Sequence, residues 1–200
     1  MVDNQWRNKM TTIVFDGRYL AGDGLAVYES GKVASTTTKK IFTPPNAKTK
    51  WRCLGKNVVA FGVAGVSGDW YEIIDALESN EGLTNRSTLS TSSDFTALVI
   101  CEEGGKLVIA YVAKSRGEDR AWIDIHHDQY VAVGSGRDIA LAFMDVTEFY
   151  ADSLCFHESA FKPVAQNAVE FTAIRDTSTG GNIMVIDCLE LINKSSSVTE

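Results

Sequence analysis

Apolar positions in the first third of the chain fall in short runs separated by turn residues. Runs at 12–15, 18–21, 25–28, 39–43, 52–54 and 58–64 read as strands, and Asp16-Gly17 reads as a tight hairpin turn between the first two. Pro44-Pro45-Asn46 opens a polar loop. The period then changes. Trp70, Ile73, Ile74 and Leu77 recur at i, i+3, i+4 and i+7, which predicts a helix over 69–79 with Ser67 as its N-cap. Residues 79–93 are rich in Ser and Thr and read as an exposed loop. Strands resume at 95–101, 107–113 and 121–125, with Glu103-Gly104-Gly105 as a hairpin turn. Two helical stretches follow. Ile139, Ala142, Phe143, Val146 and Tyr150 share one face; Val164, Ala168, Phe171 and Ile174 share another, with Pro163 in the first turn. A last strand covers 183–189, and 193–200 reads as a polar, frayed tail.

Strands grouped with strands and helices with helices argue for α+β layering, not a doubly wound parallel sheet. The simplest burial puts two sheets face to face with helices outside them. No repeat or linker interrupts the pattern. Residues 11–192 therefore read as one domain, with an extension at 1–10 and a tail at 193–200. A chain of 200 residues that is 44% hydrophobic can bury a sizeable core without staples.

Charge and composition narrow the function. There are 19 basic and 26 acidic residues, a net charge of -7, and no basic arm. That argues against nucleic acid as a partner, because phosphate binding draws on clustered Lys and Arg. No apolar run approaches the ~20 residues of a membrane span, so no membrane is expected. The opening MVDNQWRNKM has no apolar h-region, and Cys53, Cys101, Cys155 and Cys188 form no CxxC. Both features predict a cytoplasmic protein with reduced thiols. Walker A, GxGxxG and GxSxG patterns are missing. His126-His127-Asp128 looks like a metal cluster, but adjacent side chains on a strand face opposite ways. It reads as a solvated turn, and no metal or organic cofactor is expected.

Four separated features point one way. A threonine pair opens the first strand in Met10-Thr11-Thr12-Ile13-Val14. Ala21-Gly22-Asp23-Gly24 follows it. Lys39-Lys40-Ile41 precedes Phe61-Gly62-Val63-Ala64-Gly65. Val133-Gly134-Ser135-Gly136 enters a helix, and Arg175-Asp176-Thr177-Ser178-Thr179-Gly180-Gly181 leads into the last strand. Each is a common turn alone. As an ordered set over about 11–191 they resemble the proteasome β-subunit and HslV type of N-terminal-nucleophile hydrolase.

The resemblance implies a four-layer αββα sandwich and a mechanism. Thr11, once N-terminal, would be the nucleophile, with its own α-amino group as general base. Lys40 would place a positive charge beside that amine and lower its pKa, and Asp23 would orient the lysine. Lys39 is the alternative lysine. The Gly62 N–H would face the developing oxyanion. Ser135, Asp176 and Thr179 would form a second hydrogen-bonded cluster. Thr38, Ala60 and Ala64 would lie near the specificity pocket and favour apolar substrate side chains. Each residue also has a plain structural reading, as a strand, turn or helix-end position.

The chain departs from the family in four places. Residues 1–10 precede Thr11, and the junction residue is Met10 where family propeptides usually end in glycine. The Ser- and Thr-rich 79–94 replaces a second long helix, residues 43–50 look inserted, and the hairpin over 11–23 is short. The expected function is a threonine-type endopeptidase acting on unfolded polypeptides, self-associated in a ring and fed by a separate ATPase unfoldase. A non-catalytic ring-forming member of the same fold is the alternative. Amidase chemistry on small molecules is a third.

Overall fold

A computed structural model describes residues 11–27, 32–46, 48–65, 70–90, 93–127, 130–154 and 162–196. β1 (Thr12–Phe15) and β2 (Tyr19–Gly22) form the first hairpin. Its turn uses Gly17 at φ +93, a left-handed conformation that glycine adopts without penalty. Asp16 Oδ1 closes the turn by accepting the N–H groups of Arg18 and Tyr19. A small separate hairpin, β3 (Ala26–Val27) with β4 (Val33–Ser35), follows. Then come β5 (Ile41–Phe42), β6 (Arg52–Cys53), β7 (Lys56–Gly65) and α1 (Trp70–Glu78). The second half runs β8 (Phe95–Glu103), β9 (Lys106–Lys114), β10 (Trp122–His126), β11 (Val131–Gly134), α2 (Arg137–Leu154), α3 (Val164–Arg175), β12 (Met184–Asp187) and α4 (Cys188–Ser196).

The strands make two larger antiparallel sheets. One has the order β11-β1-β2-β12; the other has the order β10-β9-β8-β7-β5, with β6 also pairing β7. Side chains alternate along the strands, so β1, β2 and β11 of the first sheet and β5, β7 and β8 of the second each feed two apolar clusters. Ile13, Phe15 and Leu20 of the first sheet pack with Ile41, Ala60, Ala64, Leu98 and Ile100 of the second. On the outer side of the second sheet, Phe61, Val63 and Val99 pack with Ile73 and Leu77 of α1. On the outer side of the first, Val14, Ala21 and Ala132 pack with Ala140 and Met144 of α2 and Ala165, Ala168 and Val169 of α3. The fold is α+β, and β1 lies at its centre, between β11 and β2.

The structure adds elements that the sequence pattern does not predict. β11 pairs with the whole of β1, yet its four residues run straight into the Gly-Ser-Gly turn and look like loop. β4 is three residues long and mostly exposed, so it has no alternating signature. The larger correction is at the end. The expected last strand stops at Asp187, and α4 continues through residues read as strand and tail. Asp187 Oδ1 accepts the Glu190 N–H at 3.0 Å, a local cap that starts a helix. The Cys188 N–H donates to Arg18 O at 3.0 Å and fixes where that helix begins.

Residues 79–90 form no helix. They are pinned as a loop by Leu83, which donates to Arg52 O at 2.8 Å, and by Leu89, which donates to Asp119 O at 2.8 Å; both side chains are buried. The expected N-cap Ser67 and residues 1–10 lie outside the described residues. Among the described residues, no helix is long and apolar enough to cross a membrane.

The inter-sheet cluster sets a stability test. Leu98 has no exposed surface there. Leu98→Ala is expected to cost about 2–5 kcal/mol, from lost transfer energy plus the cavity left behind. A urea titration checks this as a lower midpoint at an unchanged m-value.

Candidate active site

The start of β1 is unusually polar for a buried position. Thr11 is 1% exposed and Thr12 0%. Both polar clusters foreseen from the sequence converge here, one on each side of the strand.

The first is built on Asp23, which follows β2 and is 1% exposed. Its Oδ1 accepts the Thr12 N–H at 2.8 Å. Its Oδ2 accepts the N–H groups of Leu25 at 3.1 Å and Gly180 at 3.2 Å. The Lys40 ammonium lies 3.2 Å from both carboxylate oxygens and also donates to Leu25 O. Of the two candidate lysines, Lys40 is the buried one. Lys39 is exposed, with its ammonium 5.0 Å from the centre of the Phe42 ring. Burial pushes the Lys40 pKa below its ordinary value, against the pull of Asp23. Burial likewise raises that of Asp23, against Lys40 and the Thr12 and Gly180 N–H groups.

The second cluster is built on Asp176, just past the end of α3. Its Oδ1 accepts the Ser178 N–H at 2.9 Å. Its Oδ2 accepts the hydroxyls of Ser135 at 2.7 Å and Thr179 at 2.8 Å. Burial alone would raise the Asp176 pKa, but the Ser178, Ser135 and Thr179 donors outweigh it and hold the carboxyl below its usual range. The cluster reaches β1 twice. The Ser135 N–H donates to Thr11 O at 2.8 Å, and Thr179 Oγ1 lies 2.6 Å from Thr12 Oγ1.

Glycines make the approach possible. Gly134 has φ +99, and a Cβ there would sit 1.8 Å from Thr11 O. A Cβ on Gly136 would sit 2.3 Å from Thr12 Oγ1 and 2.2 Å from Thr172 Cγ2. The turn around Ser135 therefore has to be Gly-Ser-Gly for β1 to lie against it.

Thr11, Asp23, Lys40, Ser135, Asp176 and Thr179 are thus brought together. Gly62 is not. The Val63 N–H donates to Lys40 O at 3.0 Å, so strand alternation turns the Gly62 N–H the other way, toward its register partner Leu98 in β8. Gly62 is glycine for a different reason: a Cβ would lie 2.5 Å from Ile13 Cγ2. The residue of β7 on the Val63 side and nearer its end is Gly65, beyond the reach of the two-residue β5. Ala64, its neighbour, lies near Thr11: a Cβ on Gly134 would sit 1.8 Å from Thr11 O and 3.3 Å from Ala64 Cβ. By the register of β7, the N–H near the strand end that turns away from β8 is therefore that of Gly65, not that of Gly62.

Ala60 and Ala64 have no exposed surface and are core contacts on the inter-sheet face. Thr38 is half-buried, and its N–H donates to Gly24 O at 2.9 Å. Thr12 joins both clusters although the sequence reading gave it no role; its signal was the doubled threonine. Among the described residues, no group of three or more His, Cys, Asp or Glu is placed to hold a metal ion. His126 instead pairs with Asp124 at 3.6 Å and meets Tyr111 edge-on, while Asp128 lies outside the described residues.

Comparison with solved structures gives this arrangement a context. The crystal structure of eukaryotic HslV from Trypanosoma brucei matches 88% of this chain and 97% of its own, at 18% identity and a TM-score of 0.53. The chain has an HslV-type fold. BPH from Thiobacillus denitrificans, solved in complex with epoxomicin, matches 88% of this chain and 96% of its own at 17% identity and a TM-score of 0.46. A second BPH structure matches 88% and 95% at 19% identity and a TM-score of 0.43. No protein-family model and no curated protein matches the chain.

Two outcomes follow from the site on this HslV-type fold. Lys40→Met leaves the Asp23 carboxylate buried without its counter-ion and is expected to cost about 3–5 kcal/mol, measured by chemical denaturation. Asp176 has a folded-state pKa below its unfolded value. It adds stability that is complete above about pH 4 and lost as pH falls through the folded pKa. Thermal unfolding followed down to acid pH should therefore fall less steeply in Asp176→Asn than in the wild type.

Proposed function

We propose that the chain is a threonine-type endopeptidase of the proteasome/HslV kind, which hydrolyses unfolded polypeptides through an acyl-enzyme on Thr11 after residues 1–10 are removed. The observation that carries this reading is the convergence of the Asp23–Lys40 pair and the Ser135–Asp176–Thr179 cluster on the Thr11–Thr12 peptide. The HslV-type fold supports it. The three apolar clusters support a four-layer αββα arrangement of α2 and α3, two sheets, and α1.

The chemistry runs as follows once Thr11 is N-terminal. Its free amine takes the proton from Oγ1 as the oxygen attacks the scissile carbonyl. The Lys40 charge disfavours the ammonium form of that amine, which keeps it basic near neutral pH. The Gly65 N–H donates to the oxyanion. The amine then returns the proton to the leaving nitrogen, and water hydrolyses the ester by the same route in reverse. Thr38 lines the approach of the substrate side chain. Self-association into a ring, a separate ATPase unfoldase and a cytoplasmic setting belong to this proposal.

One observation favours a second reading, a structural ring-forming member that is never processed. Met10 precedes Thr11, and while it is attached Thr11 has no free amine. Intact mass and turnover of a peptide panel separate the two. Purified protein should begin at Thr11 and cleave peptides, and Thr11→Ala should lower turnover by at least about 10³-fold, the scale seen when a nucleophile is removed. A chain that keeps Met10 and cleaves no peptide supports the second reading.

A further inference from the structure

We infer that Thr12 is a positioning residue of the site: its N–H bonds the Asp23 carboxylate, its hydroxyl reaches the Asp176 carboxylate through Thr179, and the two together hold Thr11 in its reacting orientation. The inference rests on the proposal that Thr11 is the nucleophile.

Proton bookkeeping gives the direction of each bond. Asp176 is an ionised acceptor, so the Thr179 hydroxyl donates its one proton to Asp176 Oδ2. Thr179 Oγ1 then has only lone pairs left for Thr12. The Thr12 hydroxyl must be the donor of the 2.6 Å bond between them. The chain therefore runs Thr12 O–H to Thr179 O–H to the Asp176 carboxylate. On its other side, the Thr12 N–H donates to Asp23 Oδ1 at 2.8 Å. One residue thus links both carboxylates, bonding the buried Asp23 directly and the half-buried Asp176 through the Thr179 hydroxyl.

The same peptide is fixed at its carbonyl. Thr11 O accepts the Ser135 N–H at 2.8 Å, and the Ser135 hydroxyl is held by Asp176 at 2.7 Å. Both ends of the Thr11–Thr12 peptide plane therefore lead back to a carboxylate. The plane cannot rotate without breaking a charge-assisted bond, and rotation of that plane is what would swing the Thr11 Cα substituents. Thr12 itself cannot relax, because it is fully buried and its Oγ1 occupies the space that Gly136 leaves by having no side chain.

The conservative series is Thr12→Ser, which keeps the hydroxyl, and Thr12→Val, which keeps the shape. In processed protein whose N-terminus at Thr11 is checked by intact mass, Thr12→Val is expected to lower kcat by about 10–100-fold with KM changed less than about threefold, because orientation acts on the reacting step. Thr12→Ser should recover to within about threefold of wild type, a single lost methyl leaving the hydrogen-bond chain in place. Thr12→Val at wild-type kcat, or a loss that Thr12→Ser does not rescue, overturns the inference. A carbon-detected NMR titration of the Asp176 carboxyl reads the same link without turnover. Thr12→Val should raise the Asp176 pKa and Thr12→Ser should not; an unmoved pKa in Thr12→Val overturns the link. If wild-type protein beginning at Thr11 cleaves no peptide while Thr12→Val does move the Asp176 titration, the endopeptidase reading has failed and the Thr12 link stands.

Discussion

A single buried carboxylate joins four parts of the chain. Asp23 receives N–H groups from the start of β1, from the loop after β2 and from the loop before β12, and it receives the ammonium of Lys40 from the segment leading into β5. Those segments are far apart in sequence, from Thr12 to Gly180. One lies in β1, two are loops flanking β2 and β12 of the same sheet, and one leads into the second sheet. A group that takes donors from both sheets fixes their relative placement at the one end where the inter-sheet core of Ile13, Ile41 and Ala64 gives way to polar residues. The apolar cluster supplies cohesion without direction, whereas the carboxylate supplies direction.

The glycines follow from that constraint. β1 is drawn against the turn around Ser135 closely enough that Gly134 and Gly136 meet Thr11 O and Thr12 Oγ1. Gly24 and Gly181 show the same logic on the other side, since a Cβ on either would lie within 2.4–2.7 Å of the Thr36 carbonyl oxygen. Side chains are thus excluded around the polar centre on two flanks. Hydroxyls, N–H groups and carboxylates fill the space instead, so the site is dense and buried at Thr12 and Asp23 and opens to solvent at Ser135.

The layering was legible in the sequence because it follows from local periods. Alternation in β1 separates Ile13 and Phe15 from Val14, and the i, i+3, i+4, i+7 spacing of Trp70, Ile73, Ile74 and Leu77 marks α1. Asp23, Lys40, Ser135, Asp176 and Thr179 were legible as an ordered set of turn motifs. The direction of the Gly62 N–H was not legible, because a motif is counted in residues while an N–H direction is set by strand parity. Parity depends on the pairing of Val63 with Lys40, which is a tertiary fact. α4 was missed for a similar reason. Its start depends on Cys188 donating to Arg18, a partner 170 positions earlier in the chain. Thr12 was missed because its chemistry lies in the direction of its bonds, not in its residue type.

The Asp23–Lys40 pair also bears on why the site exists at all. Taking two charges out of water costs several kcal/mol per ion, and the attraction between them repays this only with good geometry and further hydrogen bonds. Here the side chains are 7% and 0% exposed, and burial opposes the charged form of both. Apolar residues of similar volume could fill this space at little or no loss of stability, so the pair is poorly explained as a stabilising feature. Its position explains it better. Lys40 and the Thr12 N–H bond to the same oxygen, Asp23 Oδ1, which puts a fixed positive charge one peptide away from Thr11. Three backbone donors then help to keep Asp23 charged and the lysine in place. A buried ion pair beside a doubled threonine, on an HslV-type frame, fits the proposal that Thr11 is the nucleophile better than it fits a stabilising role.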